Sequence, residues 1–278
     1  MCDWCITHGA GEKWYLQAKN YSATMLEDPD RQTFFDEYFH KLEKELGILI
    51  PSVDWIMTHV PVVSDLFRRI LGGWVNTWHG GQVVPLEDAK ATLRLADANG
   101  GIARYSCICR RMLGGRRHEP MCLFFGVDFP WARPLSDYAD FSPEFEPLSV
   151  EEADAFLEET DDLGLVHHVA TLQTPFLLGI CSCEYPTCIF MRLRRDWGID
   201  RISQKGEYLA RIDTALCNSC GKCLERCQFG AIYHAPELDA VAVNYERCFG
   251  CGVCRVGCSS GAISLAARES MPKFSGMY

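Results

Sequence analysis

Cys217-Asn-Ser-Cys220-Gly-Lys-Cys223-Leu-Glu-Arg-Cys227 returns 31 residues later as Cys248-Phe-Gly-Cys251-Gly-Val-Cys254-Arg-Val-Gly-Cys258. Each copy is a Cys-x2-Cys-x2-Cys-x3-Cys run. Three thiolates on one tight loop can hold three irons of a cubane. The fourth, offset on the helix that follows, cannot curl back and instead ligates the other cluster. Each run is followed by Gly-Ala-Ile (Gly230-Ala231-Ile232 and Gly261-Ala262-Ile263), and Tyr208 to Ile212 and Ala240 to Val243 read as short strands. The pattern expected is a doubled βαβ unit.

These residues give the segment from about Glu207 to Arg268 its resemblance to bacterial two-cluster ferredoxins. The resemblance implies a 207–268 domain with two [4Fe–4S] clusters. Cys217, Cys220, Cys223 and Cys258 would hold one, and Cys248, Cys251, Cys254 and Cys227 the other. One departure stands out: proline usually follows the fourth cysteine in that family, and here Gln228 and Ser259 do. No ligand is lost, but a polar neighbour is placed beside the sulfurs, where it acts on potential. Zinc is the structural alternative, because Cys-x2-Cys pairs also build zinc sites.

Eight cysteines lie outside this segment: Cys2 and Cys5, then Cys107, Cys109 and Cys122, then Cys181, Cys183 and Cys188. Each Cys-x-Cys with its downstream cysteine supplies three ligands, and the N-terminal pair supplies one to each set, so the eight are the complement for two more cubanes. The same residues also suit one extra cluster with spare thiols, a zinc at Cys181, Cys183, Cys188 and one other ligand, or buried cysteines acting as small hydrophobes. His8, three residues past Cys5, is a further possible ligand.

The fold class expected is α+β: a mostly helical, cysteine-containing N-terminal domain over 1–206, the ferredoxin-like doubled βαβ two-cluster domain over 207–268, and a tail over 269–278. The polar turn from Ser203 to Gly206 marks the boundary. Arg31 to Leu46 places Phe34, Phe35, Tyr38, Phe39, Leu42 and Leu46 at helical spacing before Gly47. At an offset of 64 residues, Leu86-Glu87-Asp88-Ala89 overlays Val150-Glu151-Glu152-Ala153, Leu93 meets Leu157 and Gly100 meets Gly164. Each copy reads as a helix with an acidic first turn, a glycine stop, a short apolar stretch and then a Cys-x-Cys pair. Phe124 to Pro147 reads as a Pro- and aromatic-rich packed loop.

The stretch from Gly81 to Ala267 also resembles a family of multi-cysteine iron–sulfur proteins of anaerobic microorganisms. Cys107-Ile-Cys109-Arg110, Gly164-Leu165-Val166-His167 and Cys181-Ser-Cys183 carry that likeness, although the family often has consecutive cysteines where this chain has Glu184-Tyr185-Pro186-Thr187-Cys188. Arg104, Arg110, Arg111, Arg116 and Arg117 surround the first Cys-x-Cys, and Arg192, Arg194, Arg195 and Arg201 follow the second. Guanidinium groups there stabilise an anionic cluster, bind an anionic partner, or are simply solvated.

A formal charge of -10 argues against nonspecific nucleic-acid binding. No signal-peptide pattern opens the chain and no apolar run is long enough for a membrane span, so a soluble, cytoplasmic protein is expected. Neither Gly-x-Gly-x-x-Gly nor Gly-x4-Gly-Lys-Ser/Thr occurs. The function expected is electron transfer within an anaerobic redox complex, relaying single electrons to or from a partner oxidoreductase. The alternative is a reductase whose N-terminal domain carries a catalytic cluster or metal fed by the ferredoxin domain.

Overall fold

The computed structural model describes residues 8–9, 12–26, 28–31, 33, 48, 51–53, 55–56, 59–60, 70, 80–98, 100–107, 109–110, 120–126, 146–171 and 177–278. Most of the helix expected over Arg31 to Leu46, and most of the loop from Phe124 to Pro147, lie outside the described residues. The described chain begins with a small hairpin of β1 (His8–Gly9) and β2 (Glu12–Lys13), a 3-10 turn at Trp14–Leu16 and helix α1 (Ala23–Leu26). Two similar units follow. The first is β3 (Gly81–Val83), α2 (Leu86–Asp97), β4 (Ile102–Ser106) and β5 (Pro120–Phe125). The second is β6 (Glu146–Leu148), α3 (Val150–Asp162), β7 (Val166–Ala170) and β8 (Gly179–Cys183), and α4 (Ile189–Arg195) comes next.

These strands form one antiparallel sheet in the order β3-β7-β8-β5-β4-β6. The order reads the same when the two β-α-β-β units are exchanged. Each unit lends its first strand to the other, so β3 pairs with β7 and β6 with β4, while β5 and β8 meet at the centre. The 64-residue offset is thus a repeat of structure from β3 to β5 and from β6 to β8. The two Cys-x-Cys pairs are not equivalent within it: Cys107 and Cys109 come after β4, whereas Cys181 and Cys183 lie inside β8. Sequence reasoning anticipated helices in this part and missed the sheet. Its strands have three to six residues and several are buried on both faces, as in Val166–Ala170, so polar alternation is absent.

Strand pleating sorts the side chains. Met121, Leu123, Phe125, Val169 and Ile180 join Leu93 of α2 and Leu157 of α3 in one core. Cys122, Phe124, Val166 and Cys183 point the other way, into a second core shared with α4, Phe229, Phe249 and Val253. Helix α3 starts at a capping box, with the Glu152 N–H on Ser149 Oγ at 3.2 Å and the Ser149 N–H on Glu152 Oε2 at 2.8 Å.

The C-terminal part pairs β9 (Tyr208–Ile212) with β12 (Ile263–Ala267), and β10 (Ile232–Ala235) with β11 (Ala240–Val243). Short helices α5 (Lys222–Arg226) and α6 (Val253–Val256) lie between them in the chain. This part is firmly joined to the sheet. The Val83 N–H donates to the Gln204 carbonyl at 3.0 Å, and the Gln204 N–H to the Gly81 carbonyl at 2.9 Å, so the segment read as a boundary turn bridges to β3 in parallel. Asp88 receives Lys13 Nζ at 2.9 Å, the Tyr15 hydroxyl at 2.8 Å and the Tyr208 hydroxyl at 3.1 Å, which ties the N-terminal turn, α2 and β9 together. The last residues fold back: Met271 and Phe274 pack on the C-terminal core, and Arg194 Nη2 donates to the Tyr278 carbonyl at 3.2 Å.

Candidate functional site

Left-handed residues shape both cysteine loops: Ser219 (φ 55°) and Gly221 (φ 76°) in the first, Gly250 (φ 71°) and Gly252 (φ 85°) in the second. Spacing of this kind curls backbone N–H groups towards a common centre and makes an anion-binding concavity. At Gly250 an added Cβ would stand 2.1 Å from the Tyr208 carbonyl oxygen, so only glycine fits. One hollow is lined by Cys217, Cys220, Cys223 and Cys258. A second is lined by Cys227, Cys248, Cys251 and Cys254. The last cysteine of each run therefore stands with the first three of the other.

Four thiols in each hollow, an apolar surround and N–H groups aimed at sulfur fit a [4Fe–4S] cluster in each. Among those donors, the Ala210 N–H lies 3.4 Å from Cys248 Sγ and the Ala231 N–H 3.3 Å from Cys227 Sγ. Burial pushes the Cys248 and Cys251 thiols up, and Cys254 up to about 12, so their thiolate form would need the positive charge that iron would supply. For Cys258, burial is opposed and outweighed by the Ser260 hydroxyl and the N–H groups of Ala262, Ser260 and Ile263, which hold it below its ordinary value. The hollows differ in surroundings. Cys220 is exposed in the first, whereas Cys248 and Cys254 are buried in the second. Phe249, beside Cys248, stacks on Phe229 with centroids 3.8 Å apart.

Six further thiols meet across the second core. Cys107 contacts Cys109 and Cys122, Cys109 contacts Cys188, Cys188 contacts Cys183, Cys183 contacts Cys181, and Cys181 contacts Cys122. The result is a closed ring. Cys122 and Cys181 face each other in the register of β5 and β8, and Cys183 and Cys188 approach to 3.1 Å. The pleat sends Cys122, Cys181 and Cys183 to one face, and Cys188 reaches them from the N-cap of α4.

Thiol character alternates round the ring. Neighbouring thiol donors hold Cys107, Cys181 and Cys188 below their ordinary value and leave Cys109, Cys122 and Cys183 above theirs. Six buried thiols this close could not all ionise without added positive charge. Arg110 supplies some of it. It is buried, bonds to the Ser182 carbonyl at 3.3 Å and to Glu184 at 3.1 Å, and its Nε has no hydrogen-bond partner. Burial opposes its charge, but Cys107, Glu184, Cys122 and Cys183 outweigh that and raise its pKa. Among the described residues no three or more His, Cys, Asp or Glu side chains are arranged to hold a single metal ion; the ring thiols touch one another instead.

Gln228 joins the ring to the second hollow. It follows Cys227 directly, where the resemblance led to proline. Its Oε1 accepts the Tyr185 N–H at 2.7 Å, and its Nε2 donates to the carbonyls of Gly164 at 2.6 Å and Cys183 at 3.4 Å. The Gly164-Leu165-Val166-His167 stretch therefore takes part in this joint through the Gly164 carbonyl.

Two triples of outlying cysteines, which the two-cubane arrangement would have put in separate centres, are thus brought into one place. Cys2 and Cys5, as well as Arg111, Arg116 and Arg117, lie outside the described residues. The remaining arginines divide by role. Arg194 is structural, donating to the carbonyls of Asp200 at 2.6 Å and Ser203 at 2.8 Å. Arg195 bonds to the Gln228 carbonyl and lies over the Tyr185 ring at 3.9 Å. Arg104 pairs with Glu146 and Arg192 with Asp196. Glu184, Phe229 and Phe249 were missed by sequence reasoning, and nothing local distinguishes them.

No curated protein and no solved structure matches the chain. Residues 209–259 match the family model of the 4Fe-4S dicluster domain. The C-terminal part of the chain is therefore a ferredoxin-type iron–sulfur domain, with the general role in electron transfer that such domains have.

Proposed function

We propose that the protein is an electron-transfer subunit of an anaerobic redox complex, exchanging single electrons with a partner oxidoreductase through two [4Fe–4S] clusters. A cluster of this type takes up and releases one electron at a time. Cys217, Cys220, Cys223 and Cys258 hold the outer one, and Cys227, Cys248, Cys251 and Cys254 the inner one. The observation that carries this reading is the unequal exposure of the cysteines in the two hollows. Cys220 of the outer is exposed, while the inner has no exposed cysteine and is lined by Phe229 and Phe249, which share a core with the N-terminal sheet. Exposed Leu216, Tyr233 and Leu238 add apolar surface to the ferredoxin-type part, suited to a docking protein.

All fourteen described cysteines are free of disulfides, in keeping with a reducing, cytoplasmic setting. Among the described residues no helix is long and apolar enough to cross a membrane. The N-terminal sheet then serves as the body against which Phe229, Phe249 and Val253 of the inner hollow pack. Anaerobic affinity purification from the native cell tests the reading. Stoichiometric recovery of an oxidoreductase, with electron exchange between the two proteins, is the expected result. Turnover of a substrate by the isolated chain without any partner would overturn it.

A further inference from the structure

We propose that Cys107, Cys109, Cys122, Cys181, Cys183 and Cys188 form one chamber for a third, polynuclear iron–sulfur centre, which Gln228 joins to the inner ferredoxin cluster. The inference rests on the electron-transfer reading and deepens it. Six cysteines drawn from the end of β4, from β5, from β8 and from the start of α4 gather in one core, where Cys183 and Cys188 approach to 3.1 Å and Cys122 faces Cys181 across the paired strands. Apolar packing alone gives no reason to put six sulfurs together in a core that Val, Leu or Phe would fill. Buried Arg110, with its Nε unpartnered, provides the cation that an anionic thiolate centre needs.

The chamber shares its core with Phe229 and Phe249 of the inner hollow, so a redox-active iron–sulfur centre there would lie beside the inner cluster, whereas a structural zinc carries no electron. The Gln228 amide completes the connection: its backbone continues from the ligand Cys227, and its side chain bonds to the Cys183 carbonyl. In this role Gln228 is a positioning residue. An electron passing between the two centres oxidises one by a single unit and reduces the other by a single unit, with no bond made or broken; the low-potential partner protein is its source.

The test uses the full chain purified anaerobically, with iron, acid-labile sulfide and zinc counted and the iron resolved by Mössbauer spectroscopy. About twelve or more irons per chain are expected, against about eight for the ferredoxin-type part alone. The double variant Cys181→Ala/Cys183→Ala should lose the excess and keep about eight. Cys248→Ala/Cys251→Ala should lose the inner cluster and keep the chamber's iron, so failure here is distinguishable from failure of the two-cluster reading. The wild-type Mössbauer spectrum gives the iron inventory even if a variant does not fold. Gln228→Ala should leave the iron count intact while weakening the magnetic coupling between the reduced inner cluster and the chamber. About eight irons in the wild type, zinc in the chamber, or coupling untouched by Gln228→Ala would overturn the proposal.

Discussion

Arg226→Met tests how the ferredoxin-type part is held on the sheet. The guanidinium donates to the Val253 carbonyl at 3.0 Å and to the Asp161 and Asp162 carbonyls at 2.8 and 3.0 Å. The last two belong to the C-terminal turn of α3, where carbonyls lack helical partners and a cation is favoured. Methionine keeps the aliphatic stem, which packs so closely on Gly257 that an added Cβ there would lie 2.3 Å from Arg226 Cδ. The change therefore removes donors and charge with little loss of packing.

A sheltered hydrogen bond from a charged group is worth about 1.5–3 kcal/mol. The bond to Asp162 is exposed and adds little, and the freed carbonyls recover some water, so the three together should cost about 2–3 kcal/mol. The loss should concentrate where the Leu163, Gly164 and Leu165 amides bond to the carbonyls of Glu159, Asp161 and Thr160. Amide hydrogen exchange on the anaerobic, cluster-loaded protein reads it directly. A cost of that size speeds exchange at those amides roughly 30- to 150-fold, since 1.4 kcal/mol is a factor of ten. Iron content should not change, because no ligand is touched. Exchange within about threefold of wild type, a cost well below 1 kcal/mol, would refute the reasoning and show that water replaces the guanidinium.

Two further outcomes follow from the same geometry. Gly250→Ala forces a Cβ against the Tyr208 carbonyl and should remove about four irons per chain, whereas Gly261→Ala, which meets no atom and bears only the strain of its left-handed φ of 67°, should retain them; full iron in Gly250→Ala would contradict this account of the loop. Asp161 is raised by burial from 3.8 to about 6, with Arg226 and Arg255 partly offsetting that burial. The folded state holds this proton more tightly than the unfolded chain, so the contribution is fully present below about pH 4 and lost as pH rises through about 6. Asp161→Asn should therefore melt higher than wild type at pH 8, with a smaller gain at pH 5; equal shifts at the two pH values would count against it.

The part of the chain from Cys217 to Cys258 was legible because its chemistry is local. Ligands two or three residues apart declare their centre without knowledge of any distant contact, and Gly221, Gly250 and Gly252 mark turns that such loops require. Helices α2 and α3 were legible through their acidic first turns and glycine stops. Their strands were not. Val166 to Ala170 is buried throughout and β3 has three residues, so neither shows the period that announces a strand.

What the amino-acid sequence determined alone was that this chain carries a doubled cysteine motif and eight more cysteines in search of a purpose. Tertiary structure decided which of those cysteines meet. Cys122 faces Cys181 only because β5 and β8 pair in one register, and a slip of one residue would turn these side chains to the opposite face. The same applies to Gln228: as sequence it is a departure from proline, and only the docking of the turn after α5 beside the end of β8 gives its amide the Cys183 carbonyl. Register and docking are sums over many distant contacts, and no short stretch of sequence contains them.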